Sequence, residues 1–215
     1  MKSSKRNIPA ILINLFIFIS ELIIVITSIP TADAYVFRYY TFISNLMGMA
    51  AGLVFLISSF SGSGRLTMAK TLLRYYATCM LTLTFIVVLA ALTPMAMSVQ
   101  MDPSFLYIEG SAAFHHVIHP VLSFISFVFF EDNRTLEKKQ TVVMLGITAC
   151  YATVLITLNI FRIVDGPYPF FQVHTFPLRF IILWIAGLTG FHYLINYLIY
   201  RCGTRSRKNR RMKTT

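Results

Sequence analysis

Three histidines fall within five residues in the stretch FHHVIHP, from Phe114 to Pro120. His115 and His119 stand at i, i+4 and His116 and His119 at i, i+3, so on a helix at least two of the rings share a face. Imidazoles clustered beside apolar sequence suit proton transfer or metal binding. A neutral imidazole within reach of a hydroxyl takes its proton, turning an alcohol that is unreactive at neutral pH into a nucleophile. A second stretch, RYYTFISNLMG from Arg38 to Gly48, offers such groups at near-helical spacing: Arg38, Thr41, Ser44 and Asn45 interrupt an otherwise oily segment. For the two stretches to act together, the elements carrying them must set both at one depth.

Those elements are legible in the composition. The 215 residues are 56% hydrophobic and only 13% charged, too apolar for an ordinary soluble domain. Six apolar stretches, at about 8–29, 37–60, 72–98, 112–130, 141–164 and 178–200, are long enough to cross a hydrocarbon core of roughly 30 Å as helices. The expected fold is an all-α polytopic membrane protein of six transmembrane helices, one domain over 1–200 followed by a basic tail over 201–215. With the N-terminus inside, 16 of the 19 Lys and Arg residues fall on the cytoplasmic side, and only Arg38, Arg162 and Arg179 fall outside. Both termini are therefore expected in the cytoplasm. The tail RCGTRSRKNRRMKTT suits anionic lipid headgroups; nucleic-acid binding is not expected, because no aromatic platform or binding fold accompanies it. The stretch Thr31–Ala34 resembles a signal-peptide cleavage site. The apolar run before it, about 22 residues and carrying Glu21, exceeds a signal core of roughly 7 to 15, so an uncleaved first span is expected. Cys79 and Cys150 lie inside predicted spans and Cys202 at the inner boundary, which sets up no disulfide framework. No Gly-rich phosphate loop points to nucleotide use.

In this topology helices two and four both begin at the outer surface, so Arg38, Thr41, Ser44 and Asn45 share a depth with His115, His116 and His119. Asn159, Arg162 and Arg179 stand at the outer ends of helices five and six. The outer loops add Asp102, Glu109, Asp165 and His174. Polar groups facing lipid are costly, so these are expected to face inward around a pocket near the extracytoplasmic face. Positions 38, 41, 45, 48 and 52 form one stripe of helix two, in which Gly48 and Gly52 admit a close neighbouring helix. Plainer roles exist for each residue. Thr41 can bond the carbonyl one turn back, Asn45 can tie two helices, the three outer arginines can snorkel, and His192 reads as a packing residue. Glu21 is either protonated or a partner to the pocket. The segment DGPYPFFQVHTFP, Asp165 to Pro177, has the composition of an interfacial anchor or of a cap over the pocket.

Three motifs carry a resemblance: YYTFISNL (39–46), HHVIHPVL (115–122) and PYPF (167–170). In order, spacing and six-span layout the chain resembles the androgen-induced six-helix membrane hydrolases of animals and their bacterial integral-membrane relatives. The resemblance implies a threonine nucleophile at Thr41 and a histidine at His119, the second of an H-x-x-H pair begun by His116, hydrolysing esters of fatty acids with hydroxy fatty acids. Ser44 stands where animal members carry Asn or Asp, His115 where they carry Asn, and Pro120 where they carry Thr. These departures look like the bacterial branch and imply a bacterial plasma membrane.

On this basis Thr41, His119 and His116 are the expected catalytic residues of a hydrolase acting on lipid esters without a cofactor. Arg38, Asn45, Arg162, Arg179 and His174 are the candidates for oxyanion or substrate binding. Two alternatives stand beside it. One is a metal-dependent hydrolase on the paired histidines, with His174, Asp102 or Glu109 as third ligand. The other is a non-enzymatic protein that binds or transports lipid. The residues leave the acyl substrate and the oligomeric state open.

Overall fold

The computed structural model describes residues 7–28, 34–61 and 64–211. Residues 31–33 of the cleavage-like stretch, and Lys2, Lys5, Arg6 and Lys213 of the basic ends, lie outside them. Among the described residues the fold is all-helical, with no strand. The main elements are α1 (Ile8–Ser28), α2 (Tyr40–Ser61), α3 (Gly64–Val87, continued by Val88–Leu92 and Thr93–Ser98), α4 (Phe114–Phe130), α5 (Gln140–Ile160) and α6 (Leu178–Arg211).

Five of these helices are long and apolar enough to cross a membrane. The remaining apolar helix, α4, is shorter, as Phe114–Phe130. Outward-facing hydrophobic side chains, among them Leu183 at 71%, Ile26 at 62% and Ile182 at 56% exposed, give the bundle an apolar exterior that suits lipid rather than water. One boundary differs from expectation: α6 does not stop near 200 but runs through Gly203 to Arg211, with no proline in the basic tail to end it.

Two prolines shape the helices around the site. A proline inside a helix has no N–H to donate and crowds the carbonyl four residues back, so the turn before it must loosen. Pro94 follows the π turn Val88–Leu92, where the Thr93 N–H reaches the Val88 carbonyl. Pro120 follows the π turn Phe114–Ile118, where the His119 N–H reaches the Phe114 carbonyl. The second of these widens α4 at its three histidines and so sets which rings turn inward.

The glycine stripe of α2 behaves as the spacing predicts. A Cβ on Gly48 would lie 3.1 Å from Leu81 Cδ1 on α3, and one on Gly52 would lie 3.0 Å from the Asn14 carbonyl oxygen on α1. The first obstacle is the tip of a side chain and can yield; the second is backbone. Gly52→Ala is therefore expected to destabilise the protein by about 1–3 kcal/mol through overpacking, seen as a lowered melting temperature in detergent, with Gly48→Ala milder.

Candidate functional site

Helices α1, α2 and α4 converge at the end of the bundle where α2 and α4 begin. Arg38 belongs to a short 3-10 turn, Ala34–Arg38, that precedes α2, so Thr41 is the first polar side chain of the helix proper. One turn further, Asn45 is 1% exposed and works as a clamp. Its Nδ2 donates to the Thr41 carbonyl at 2.8 Å and to the His115 carbonyl at 3.3 Å, while its Oδ1 lies 2.9 Å from His119 Nδ1. A single amide thereby locks the start of α2 to the start of α4, with Thr41 and His115 as neighbours. Both N–H groups of Asn45 are committed to these carbonyls, which removes the expected oxyanion role and leaves the interhelical one.

The π turn sends the three rings to different places. His119 is fully buried, with Nδ1 on Asn45 and Nε2 2.7 Å from Ser20 Oγ. Because Asn45 Oδ1 can only accept, His119 Nδ1 carries the proton, and Nε2 faces the Ser20 hydroxyl, which also lies 2.6 Å from the Phe16 carbonyl. With both nitrogens engaged, His119 does not hydrogen-bond Thr41 directly. His115 Nε2 lies 2.9 Å from Glu21 Oε2, while Nδ1 has only a 3.4 Å contact with Ser111 Oγ. His116 turns the other way, with Nδ1 2.5 Å from the Leu106 carbonyl. The inward pair is therefore His115 and His119, whose ring centroids are 6.3 Å apart, rather than the H-x-x-H pair.

Glu21 is the member the sequence left undecided. It is fully buried on α1, holds His115 through Oε2, lies 3.6 Å from His119 Nδ1 through the same oxygen, and leaves Oε1 without a hydrogen-bond partner. A mid-span carboxyl is costly enough that a polar partner on a facing helix was to be expected, but the identity of that helix depends on packing.

Thr41 lies on the wall between two cavities. The first, about 290 Å³, is lined by Ser28, Tyr39, Thr41, Glu109, His115 and His116, among others. Its lining is mainly apolar, and of the residues expected to share one depth it brings together Thr41, His115 and His116. The second, about 100 Å³, is mainly apolar and passes between α2, α3, α5 and α6, with Thr41, Thr84, Tyr168, Phe171 and His192 in its lining. His192 is 1% exposed, and both its ring nitrogens lack a partner. It is thus not the satisfied packing residue expected.

The Pro-rich segment between α5 and α6 folds down over Thr41 as a cap. Tyr168, Phe170 and Phe171 are buried, and Phe170 stacks on Trp184 with ring centroids 6.0 Å apart. Tyr168 and Thr41 line the same cavity, with the phenol close to the Thr41 hydroxyl. Burial raises its phenol above the ordinary tyrosine range, partly offset by the neighbouring polar groups of Thr41 and Tyr40, so at neutral pH it remains protonated. Sequence reading missed Tyr168 as an individual, although it stands inside the PYPF motif. Gly166 permits the fold of the cap, since a Cβ there would lie 2.6 Å from the Phe171 backbone.

Other candidates have plainer tasks. His174 Nε2 lies 3.0 and 3.2 Å from the Asn159 and Ile160 carbonyls and caps the end of α5. Asn159 accepts from the Val173 N–H at 2.8 Å and donates to the Val164 carbonyl at 3.0 Å. Arg162, at a left-handed φ of 56°, and Arg179 are exposed and line neither cavity that Thr41 lines. Asp102 accepts from the Ser104 N–H and hydroxyl at 3.0 and 2.7 Å, bonds that hold its carboxyl below the ordinary range. Of the proposed third metal ligands only Glu109 shares a cavity with the histidines, and among the described residues no three His, Cys, Asp or Glu side chains are grouped to hold a metal ion.

A second buried polar cluster lies further along α4 and was not anticipated. Arg74, counted from the sequence as a boundary cation, is fully buried and lies 2.9 Å from Glu131. Asn14, Ser123, Ser126 and Thr78 complete the cluster.

No family model, curated protein or solved structure matches the chain.

Proposed function

We propose that the chain crosses the membrane six times with both termini cytoplasmic, and that it hydrolyses acyl-lipid esters at Thr41 near the extracytoplasmic face. The charge distribution and the three motifs support this reading. The observation that carries it is the position of Thr41 between a cavity that holds two imidazoles and a second, apolar cavity. An ester needs both surroundings: its acyl chain leaves water, while its carbonyl meets a nucleophile, a base and a water molecule. The substrates this favours are esters of long-chain acids, including those with hydroxy fatty acids.

Tyr168 is the donor best placed to stabilise the oxyanion. Tyr168→Phe keeps the ring packing and removes the proton, and is expected to lower kcat by on the order of 10²-fold, the scale of losing one oxyanion donor, with KM little changed.

The reading is tested by treating the purified protein with a fluorophosphonate probe and mapping the adduct. Labelling at Thr41 that disappears in Thr41→Ala supports it. An unreactive wild type, or equal labelling in the variant, overturns it.

The unpartnered His192 in the apolar cavity favours a second reading, lipid binding without cleavage. Lipid profiles of cells with and without the protein separate the two, since cleavage yields free acids and binding only redistributes intact lipid.

A further inference from the structure

We infer that His115, held by Glu21, is the base that takes the Thr41 proton. This rests on the hydrolase reading and reassigns its central proton transfer. Three observations converge on it. First, Thr41 and His115 line the same cavity, and their backbone carbonyls share one Asn45 nitrogen at 2.8 and 3.3 Å. Second, His115 presents to Glu21 one nitrogen at 2.9 Å and keeps the other, Nδ1, for a long 3.4 Å contact with Ser111. Third, His119 has no exposed surface, lines neither cavity shared by Thr41, and has both nitrogens committed.

The arrangement is that of a hydroxyl, an imidazole and a carboxylate in which the carboxylate fixes the tautomer and steadies the imidazolium formed in the reaction. Glu21 accepts the Nε2 proton and so leaves Nδ1 as the acceptor. His116 also lines the cavity, but its Nδ1 partner is the uncharged Leu106 carbonyl, which supports an imidazolium less than a carboxylate does. Glu21 is a positioning residue, since it touches the base and not the substrate. His119 and Ser20 brace Asn45 from behind.

The steps balance with water as the only co-reactant. Thr41 Oγ bonds to the ester carbonyl carbon as its proton passes to His115 Nδ1. The tetrahedral species then breaks its ester C–O bond, and the same proton goes to the departing alkoxide, releasing an alcohol and leaving acyl-Thr41. Water attacks that acyl group and gives a proton to His115. The bond to Thr41 Oγ breaks, the proton returns to Thr41, and the fatty acid leaves.

The test compares fluorophosphonate labelling rates and hydrolysis of a p-nitrophenyl acyl ester in folded, monodisperse wild type, His115→Gln, His119→Gln, Glu21→Gln and Glu21→Asp. His115→Gln is expected to lose at least about 100-fold in both rates, within the range for a general base. Glu21→Gln is expected to lower kcat by about 10²- to 10⁴-fold at nearly constant KM, with Glu21→Asp recovering part of the loss. Imidazole added to His115→Ala restores labelling if that variant folds, a recovery that a purely structural role does not produce. Retention of the rate within tenfold in His115→Gln, alongside a larger loss in His119→Gln, overturns the inference while leaving Thr41 hydrolysis standing. A wild type without reaction overturns both.

Discussion

Glu131→Ala is expected to destabilise the protein by about 3–5 kcal/mol, the scale observed when one partner of a buried ion pair is removed. Glu131 Oε1 receives Arg74 Nε at 2.9 Å, Ser126 Oγ at 2.7 Å and Asn14 Nδ2 at 3.2 Å, so one truncation removes an acceptor that three donors share. Arg74 has no exposure to water, and its Nη1 already lacks a partner. The cost of the variant is therefore chiefly an isolated guanidinium in an apolar bundle, beyond the lost hydrogen bonds. The double variant Arg74→Met, Glu131→Leu separates these contributions. Replacing both charges with apolar groups of similar volume is often neutral or stabilising, so the pair is expected to lie closer to wild type than Glu131→Ala does. Thermal melting in nanodiscs measures all three proteins. A single variant that melts within a degree of wild type would show that Arg74 finds another counter-charge.

The two buried clusters differ in how far the sequence disclosed them. Alternating helix directions suffice to place the beginnings of α2 and α4 at one end of the bundle, which made the shared depth of Thr41 and the histidines readable, whereas the adjacency of the two helices there is a matter of packing. Periodicity also identified the glycine stripe, because a helix face is a property of one segment. Contacts between segments are another matter. Glu21 could have faced any neighbour, and only packing shows it against α4. Arg74 looked like a boundary cation because charge near the end of an apolar run normally reaches water. Its partner Glu131 lies 57 residues away, at no spacing that a pattern detects. His174 and Asn159 looked like site residues from their chemistry, yet their hydrogen bonds go to backbone groups at the end of α5 and in the cap. Helix ends and loops demand such partners wherever their peptide groups leave water. The choice of inward ring among the three histidines follows from the π turn before Pro120. An ideal helical wheel does not represent that turn.

Thr41→Ala is expected to abolish ester hydrolysis, lowering kcat by on the order of 10⁴-fold or more, equivalent to about 5.5 kcal/mol of activation free energy. The fold should tolerate the change, since Asn45 clamps Thr41 through its backbone carbonyl and alanine keeps that group. The hydroxyl beside the buried Tyr168 is lost, so a modest fall in melting temperature should accompany the loss of activity. Thr41→Ser restores a hydroxyl at the same backbone position and is expected to retain kcat within about tenfold, whereas Thr41→Val preserves the shape and should be as inactive as alanine. Pre-steady-state kinetics with excess p-nitrophenyl acyl ester measure the three variants directly: a burst of p-nitrophenol equal to the amount of protein marks the acyl-enzyme, and of the three only the serine variant should show it. Hydrolysis by Thr41→Val at the wild-type rate would move the nucleophile elsewhere, with Ser20, 2.7 Å from His119, the next hydroxyl to test.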